Sequence, residues 1–437
     1  MKLDLTDMLY ALSFALDKVE AELIGLDTGH CKRVACLGIL MGKEAGFRDE
    51  ELRDFAGCCI LHDNALTEFI HEELSSGIKP QELTAQLADI IDSGSSELNH
   101  KHCVIGERNI RLMPFRTDVK NIILYHHENA DGTGALKKTA SETTLKSQIL
   151  HLADIVDMTN QLMSLTNSGF DGLCKQVQKR TGTLFSKEAS DLFFKSVSFE
   201  KIEHLQSKGI LEYLHEELPM RVCEYSYDDI RGIAELFAKI VDYKSEFTEA
   251  HSKGVAEKAA LMAKHYGFDP EKTIRYFFAG AMHDIGKLVV TNDILEKPGK
   301  LDDNEFKEMK NHAAATYYIL DQIKEIPDIV KWASNHHEKL NGSGYPRGLT
   351  VDDLSFEEQL MTCIDIYQAL TEKRPYKDGM PHERSISIML DMAQKGELNE
   401  KIVHDIDGVM GISRQDNVPD QKDRAALNSK LRKETEL

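Results

Sequence analysis

Histidines and carboxylates cluster in the second half of the chain. His283-Asp284-Ile285-Gly286-Lys287 lies between His251 and Asn311-His312. His336-His337-Glu338-Lys339-Leu340-Asn341-Gly342-Ser343-Gly344-Tyr345-Pro346 follows, then Asp365 and Arg374-Pro375-Tyr376-Lys377. Imidazole nitrogens mixed with carboxylate oxygens suit first-row transition metals such as Fe, Mn or Zn. The two oxygens of Asp284 can bridge a pair of ions. A pair of bound ions can activate water and neutralise negative charge on a group under attack.

These residues need elements to hold them. The run Tyr276-Phe277-Phe278-Ala279-Gly280-Ala281-Met282 predicts a buried helix carrying His283 and Asp284. Adjacent helical side chains lie about 100° apart, so both could face one cleft. Lys287 shares the face of His283 if that helix continues. Asn341–Pro346 reads as a loop, because Gly342 and Gly344 allow positive φ and Pro346 stiffens its end. Elsewhere apolar residues recur at helical spacing, as Leu9, Leu12, Leu16, Val19 and Leu23 do between Met8 and Leu23. Few segments alternate with period two, so the fold is expected to be all-α.

The pattern occurs twice. His30 precedes His62-Asp63 by 32 residues, and His251 precedes His283-Asp284 by 32. His102 and His126-His127 are 24 apart, as are His312 and His336-His337. Asp154 follows His126 by 28 residues and Asp365 follows His336 by 29. The remaining interval is 40 residues in the first copy against 29 in the second, which predicts an inserted loop over Ser75–Ser96. Matched intervals of this kind indicate duplication. Two tandem helical domains are therefore expected, over 1–215 and 228–412, joined through Glu216–Tyr227 and followed by a polar tail at 413–437. The first copy has Leu66 where the second has Lys287, Ala135 in place of Tyr345, and Met163 in place of Arg374.

Over residues 245–400 the ordered set resembles the HD-GYP family of cyclic dinucleotide phosphodiesterases, a branch of the HD phosphohydrolases. The resemblance implies tandem HD-type domains, of which the second is HD-GYP. It implies one metal on His251, His283, Asp284 and Asp365, and another on Asp284, His312, His336 and His337. Lys287 would bind a substrate phosphate, Gly344 and Tyr345 would line the cleft, and Arg374 and Lys377 would contact base or phosphate. Asp284 and Lys287 would carry the catalysis. Some relatives hold a third metal through a glutamate where this chain has Phe247. Asn341 and Gln368 stand where the family commonly has aspartate.

The implied reaction opens cyclic di-GMP or 3′,3′-cyclic GMP-AMP to a linear 5′-phosphorylated dinucleotide, a step in bacterial signalling. In the first domain, His30, His62, Asp63, His102, His126, His127 and Asp154 would form a second metal site. His30, His62, Asp63 and Asp154 also match the HD pattern of nucleotide phosphomonoesterases, so this domain could dephosphorylate the product. It could instead be regulatory or dimerising. An HD phosphohydrolase of mononucleotides or (p)ppGpp, and a non-catalytic cyclic dinucleotide receptor, are the rival readings. A homodimer or a signalling-protein partner is left open.

The formal net charge of −20 argues against a polymeric nucleic acid or an anionic membrane as partner. No apolar run is long enough for a membrane span. Asp4 and Asp7 interrupt the N-terminus, unlike a signal peptide. Eight scattered cysteines without C-x-x-C fit reduced thiols and a cytoplasmic location. Cys58-Cys59 reads as helix packing.

Overall fold

The computed structural model describes residues 1–24, 29–78, 97–244, 251–295, 297, 299–373 and 378–416. Most of the insert at Ser75–Ser96, together with Phe247, Arg374, Lys377 and residues 417–437, lies outside them.

The architecture is all-α, as the spacing of apolar residues predicts. The first repeat contains α1 (Leu5–Ile24), α2 (His30–Glu44), α3 (Asp49–Ile60), α4 (Leu66–Ser75), α5 (Glu97–Asn109) and α6 (Leu145–Thr159). Then come α7 (Asn167–Arg180), α8 (Lys187–Ser196), α9 (Phe199–Lys208) and α10 (Ile210–Glu217). The second repeat contains α11 (Tyr227–Tyr243), α12 (His251–His265), α13 (Pro270–Met282), α14 (Asn292–Leu295), α15 (Asp303–Leu320) and α16 (Pro327–Ser334). It ends with α17 (Phe356–Thr371), α18 (His382–Gln394) and α19 (Glu400–Asp416). The expected connection is partly ordered as a strand: Cys223–Glu224 pairs antiparallel with Lys2–Leu3.

Local chemistry sets the helix starts. The side chains of Ser226, Asp302 and Ser355 cap α11, α15 and α17, with Asp229, Glu305 and Glu358 returning hydrogen bonds to complete each capping box. Gly29 precedes α2 at φ 95°, a left-handed conformation that glycine adopts without a Cβ penalty.

The chain divides into two compact units, and these do not follow the repeat. One comprises Met1–Lys253 with Phe278–Ser334; the other comprises Gly254–Phe277 with Asn335–Leu437. In the first, α2 packs on α3 and α6, and α1 packs on residues 285–289 and on α15. Leu9, Leu12 and Leu16 of α1 are buried there, as are Phe55, Cys58 and Cys59 of α3. Both cysteines are free thiols. In the second unit, Phe268 meets Tyr276 edge-on at 5.7 Å, and the Tyr276 hydroxyl donates to the Glu357 carbonyl at 2.9 Å.

One local expectation fails. The helix leading to His283 and Asp284 stops at Met282, so neither residue is helical, and Lys287 sits on a 3-10 turn over Ile285–Val289. The cause is contact with α15. A Cβ on Gly286 would stand 2.0 Å from the His312 carbonyl oxygen, so only glycine lets the turn lie against that helix. Thr316 then replaces the lost helical bonds. Its hydroxyl donates to the His283 carbonyl at 2.9 Å and accepts from the Gly286 N–H at 3.1 Å.

Candidate metal centres

The first repeat gathers all seven of its predicted ligands. Asp63 follows the end of α3 and faces three histidines. Its Oδ2 is 3.5 Å from His62 Nε2, while its Oδ1 is 3.6 Å from His102 Nε2 and 3.9 Å from His126 Nε2. Asp154 of α6 lies opposite: Oδ1 is 3.3 Å from His30 Nε2 and 3.8 Å from His62 Nε2, and Oδ2 is 3.9 Å from His127 Nδ1. A carboxylate that turns one oxygen to one set of imidazoles and the other to a second set has the form of a bridge between two ions.

The residues fit metal ions on three counts. Nδ1 of His62 donates to the Cys59 carbonyl at 2.9 Å and Nδ1 of His126 to the Ile123 carbonyl at 2.6 Å, which turns each Nε2 inward. Those two Nε2 atoms are buried and make no hydrogen bond. Finally, the protonation states suit ligation. Burial, then the neighbouring His102 and His62, pushes His126 down to about 3. Burial works against the charge on Asp63, but His62, His102 and His126 outweigh it and hold the carboxyl below its usual range. Asp154 is likewise held down, by His30 and His62, against the effect of burial. Buried carboxylates among imidazoles need a compensating cation.

In the second repeat, residues from the first compact unit reproduce the bridge. Asp284 Oδ2 is 3.0 Å from His283 Nε2 and 3.7 Å from His251 Nε2, and Oδ1 is 3.5 Å from His312 Nε2. His283 and His312 donate through Nδ1 to the Gly280 and Met309 carbonyls at 2.7 and 2.6 Å. Lys287 Nζ is 2.6 Å from Asp284 Oδ2. Burial opposes the charge on Asp284, but His283 and Lys287 hold its carboxyl well below the usual range. In the other unit, the rings of His336 and His337 lie 4.0 Å apart, tilted 47° to each other, and His337 Nδ1 is 3.8 Å from Asp365 Oδ2. The corresponding rings of His126 and His127 are 3.9 Å apart.

The glycine loops share one internal support. The carboxylate of Glu338 accepts the N–H groups of Arg347 and Leu349 at 2.7 and 2.9 Å. The carboxylate of Glu128 accepts those of Leu136 and Lys138 at 2.7 and 2.6 Å. A Cβ on Gly344 would lie 2.5 Å from the Glu338 Cα, so the loop folds tightly over this residue. Tyr345 thereby lies 4.7 Å from the His337 ring.

Several positioning residues carry no signature in the sequence. Asp157 accepts from His30 Nδ1 at 2.7 Å and is gripped by Arg33 through Nε at 2.7 Å and Nη2 at 3.0 Å. In the second repeat Gln368 takes the place of Asp157 and accepts from Lys258 at 2.6 Å. Asp17 accepts the Cys31 N–H at the start of α2, and Asp242 accepts the Ser252 hydroxyl at the start of α12. A buried acid from the preceding long helix thus secures each helix that begins with a ligand histidine. Asp157→Asn should weaken metal binding in the first repeat by about 10–100-fold, the usual cost of losing such a partner. Competitive chelator titration of the metal-loaded protein would measure it.

The HD domain family matches residues 28–159 and, in a second form, residues 235–402. The chain is 27% identical over 410 residues to 3′3′-cGAMP-specific phosphodiesterase 1 of Vibrio cholerae, covering 91% of this chain and 90% of that protein. It is 29% identical over 424 residues to 3′3′-cGAMP-specific phosphodiesterase 3 of the same organism, covering 88% and 90%. Among solved structures, a V. cholerae cyclic GMP-AMP specific phosphodiesterase (V-cGAP3) superposes with a TM-score of 0.62 at 24% identity, over 94% of this chain and 98% of that one. That likeness is one of fold. No helix among the described residues is long and apolar enough to cross a membrane.

Proposed function

We propose, from the premise that this chain belongs to the HD-GYP family and carries tandem HD domains, that it hydrolyses a 3′,5′-cyclic dinucleotide to a linear 5′-phosphorylated dinucleotide. The observation that carries this reading is the Asp284 carboxylate divided between His283 and His251 on one oxygen and His312 on the other. His251, His283, Asp284 and Asp365 are taken to hold one ion, and Asp284, His312, His336 and His337 the other. Ions held there would supply Lewis-acid chemistry for phosphodiester cleavage. 3′,3′-cyclic GMP-AMP is the first choice of substrate because it is named for two relatives that match most of the chain. Cyclic di-GMP is the second.

The chain's own residues prepare the site. Lys287 neutralises Asp284 and, on this reading, turns its ammonium to a substrate phosphate. Gly344 and Tyr345 present the Glu338-supported loop to the substrate. Arg374 and Lys377 are assigned to base or phosphate recognition. The first repeat, with a complete ligand set but Leu66 in place of Lys287, is assigned a separate metal centre that removes the terminal phosphate from the linear product.

Metal-loaded protein should convert cyclic GMP-AMP to the linear dinucleotide, and then to a species one phosphate lighter, in a mass-resolved time course. No turnover of either cyclic substrate with Mn, Fe or Zn would overturn the reading. Lys287→Gln should lower turnover by about 10²–10³-fold, the scale for losing one electrostatic contact to a reacting group. Metal content should be unchanged, which elemental analysis of the same sample checks.

A further inference from the structure

We propose that Cys103 is a metal ligand in the first repeat, completing the half-site of His102, His126 and His127 with a sulfur donor. This rests on the reading that the first repeat holds metal.

Helix α5 places Cys103 beside His102. The side chain is buried, and its Sγ lies 3.7 Å from His102 Nε2 and 3.6 Å from His126 Nδ1. One donor atom from each of His102, Cys103, His126 and His127 falls within 4.8 Å of all the others. With zinc–sulfur and zinc–nitrogen bonds of about 2.3 and 2.0–2.1 Å at a tetrahedral angle, S and N would stand roughly 3.6 Å apart, close to the separation from His102. His126 spends Nδ1 on the Ile123 carbonyl, so its buried Nε2, which makes no hydrogen bond, is the atom offered to an ion. Of the eight cysteines, Cys103 is the one that joins a histidine cluster among the described residues.

The second repeat has Ala313 at the matching position, beside His312. The two centres therefore differ in softness. A thiolate favours zinc or ferrous iron, whereas imidazole and carboxylate alone also suit manganese. On binding, the S–H bond breaks, the proton passes to solvent, and a sulfur–metal bond forms. Thiolate and Asp63 together then balance a divalent charge.

Cobalt(II) is the probe, loaded into metal-free full-length Asp284→Ala so that the second centre is removed. The expected spectrum has visible ligand-field bands and a near-ultraviolet sulfur-to-cobalt charge-transfer band. Adding Cys103→Ser should abolish the charge-transfer band while the visible bands persist. Bound cobalt without that band, or a band that survives Cys103→Ser, overturns the assignment of Cys103 and leaves the metal centre standing. Absence of bound cobalt overturns the first-repeat centre itself. If the double variant does not fold, zinc X-ray absorption of Asp284→Ala decides: a sulfur neighbour at about 2.3 Å supports the ligand, and nitrogen and oxygen neighbours alone overturn it.

Discussion

Asp284→Ala should lower cyclic dinucleotide turnover by at least ~10³-fold, because it removes a group on which both proposed ions depend. The substitution leaves His251, His283 and His312 without the carboxylate that each of them faces. It also frees Lys287 from its 2.6 Å partner. Metal content should drop by the share of the second centre, while the first repeat keeps its own. Elemental analysis beside the turnover assay separates this outcome from unfolding, which would release metal from both. Unchanged turnover in a folded variant would remove Asp284 from the site.

Asp63→Ala is the counterpart in the first repeat and should separate two activities. Ring opening should persist, while removal of phosphate from the linear 5′-phosphorylated dinucleotide should fall by ~10³-fold or more. The basis is geometric: Asp63 faces His62 with one oxygen and His102 and His126 with the other, as Asp284 does with its own histidines. Supplying the linear dinucleotide directly as substrate isolates the step. If ring opening fails as well in a folded protein, the first repeat serves the second as a regulator. If dephosphorylation continues unchanged, that reaction occurs elsewhere.

The residues of the proposed ligand sets could be picked out because histidine and aspartate at nearly equal intervals in two copies form a pattern that does not depend on knowing the fold. The all-α class was legible from helical spacing, as along α1. What escaped were residues whose meaning depends on a distant partner. Nothing near Asp157 announces that it will orient His30, more than a hundred residues away. Thr316 reads as an ordinary helical threonine until its hydroxyl is found to bind the turn at His283 and Gly286. Glu128 and Glu338 sit inside recognisable motifs, but their role in holding the loop from within is a property of the folded backbone. The mistaken continuation of helix through His283 has the same origin. A 13-residue helix gives no local sign that a neighbouring carbonyl will force the next residues into a tighter turn.

Helix α1 bears on how the second repeat could be used as a part. It belongs to the first repeat, where Asp17 secures the start of α2, yet it packs on residues 285–289 and on α15, which carries His312. The Phe14 ring meets Tyr318 edge-on at 5.8 Å. Lys239 of α11 likewise reaches back 2.7 Å to Glu68 of the first repeat. The Lys287 turn therefore borrows part of its covering wall from a sequence more than two hundred residues upstream. A gene fragment cut at the repeat boundary would keep every proposed ligand of the second centre and still strip one side of the turn. The first repeat therefore forms part of the wall around the second repeat's Lys287 turn, which argues against exchanging the two as independent cassettes.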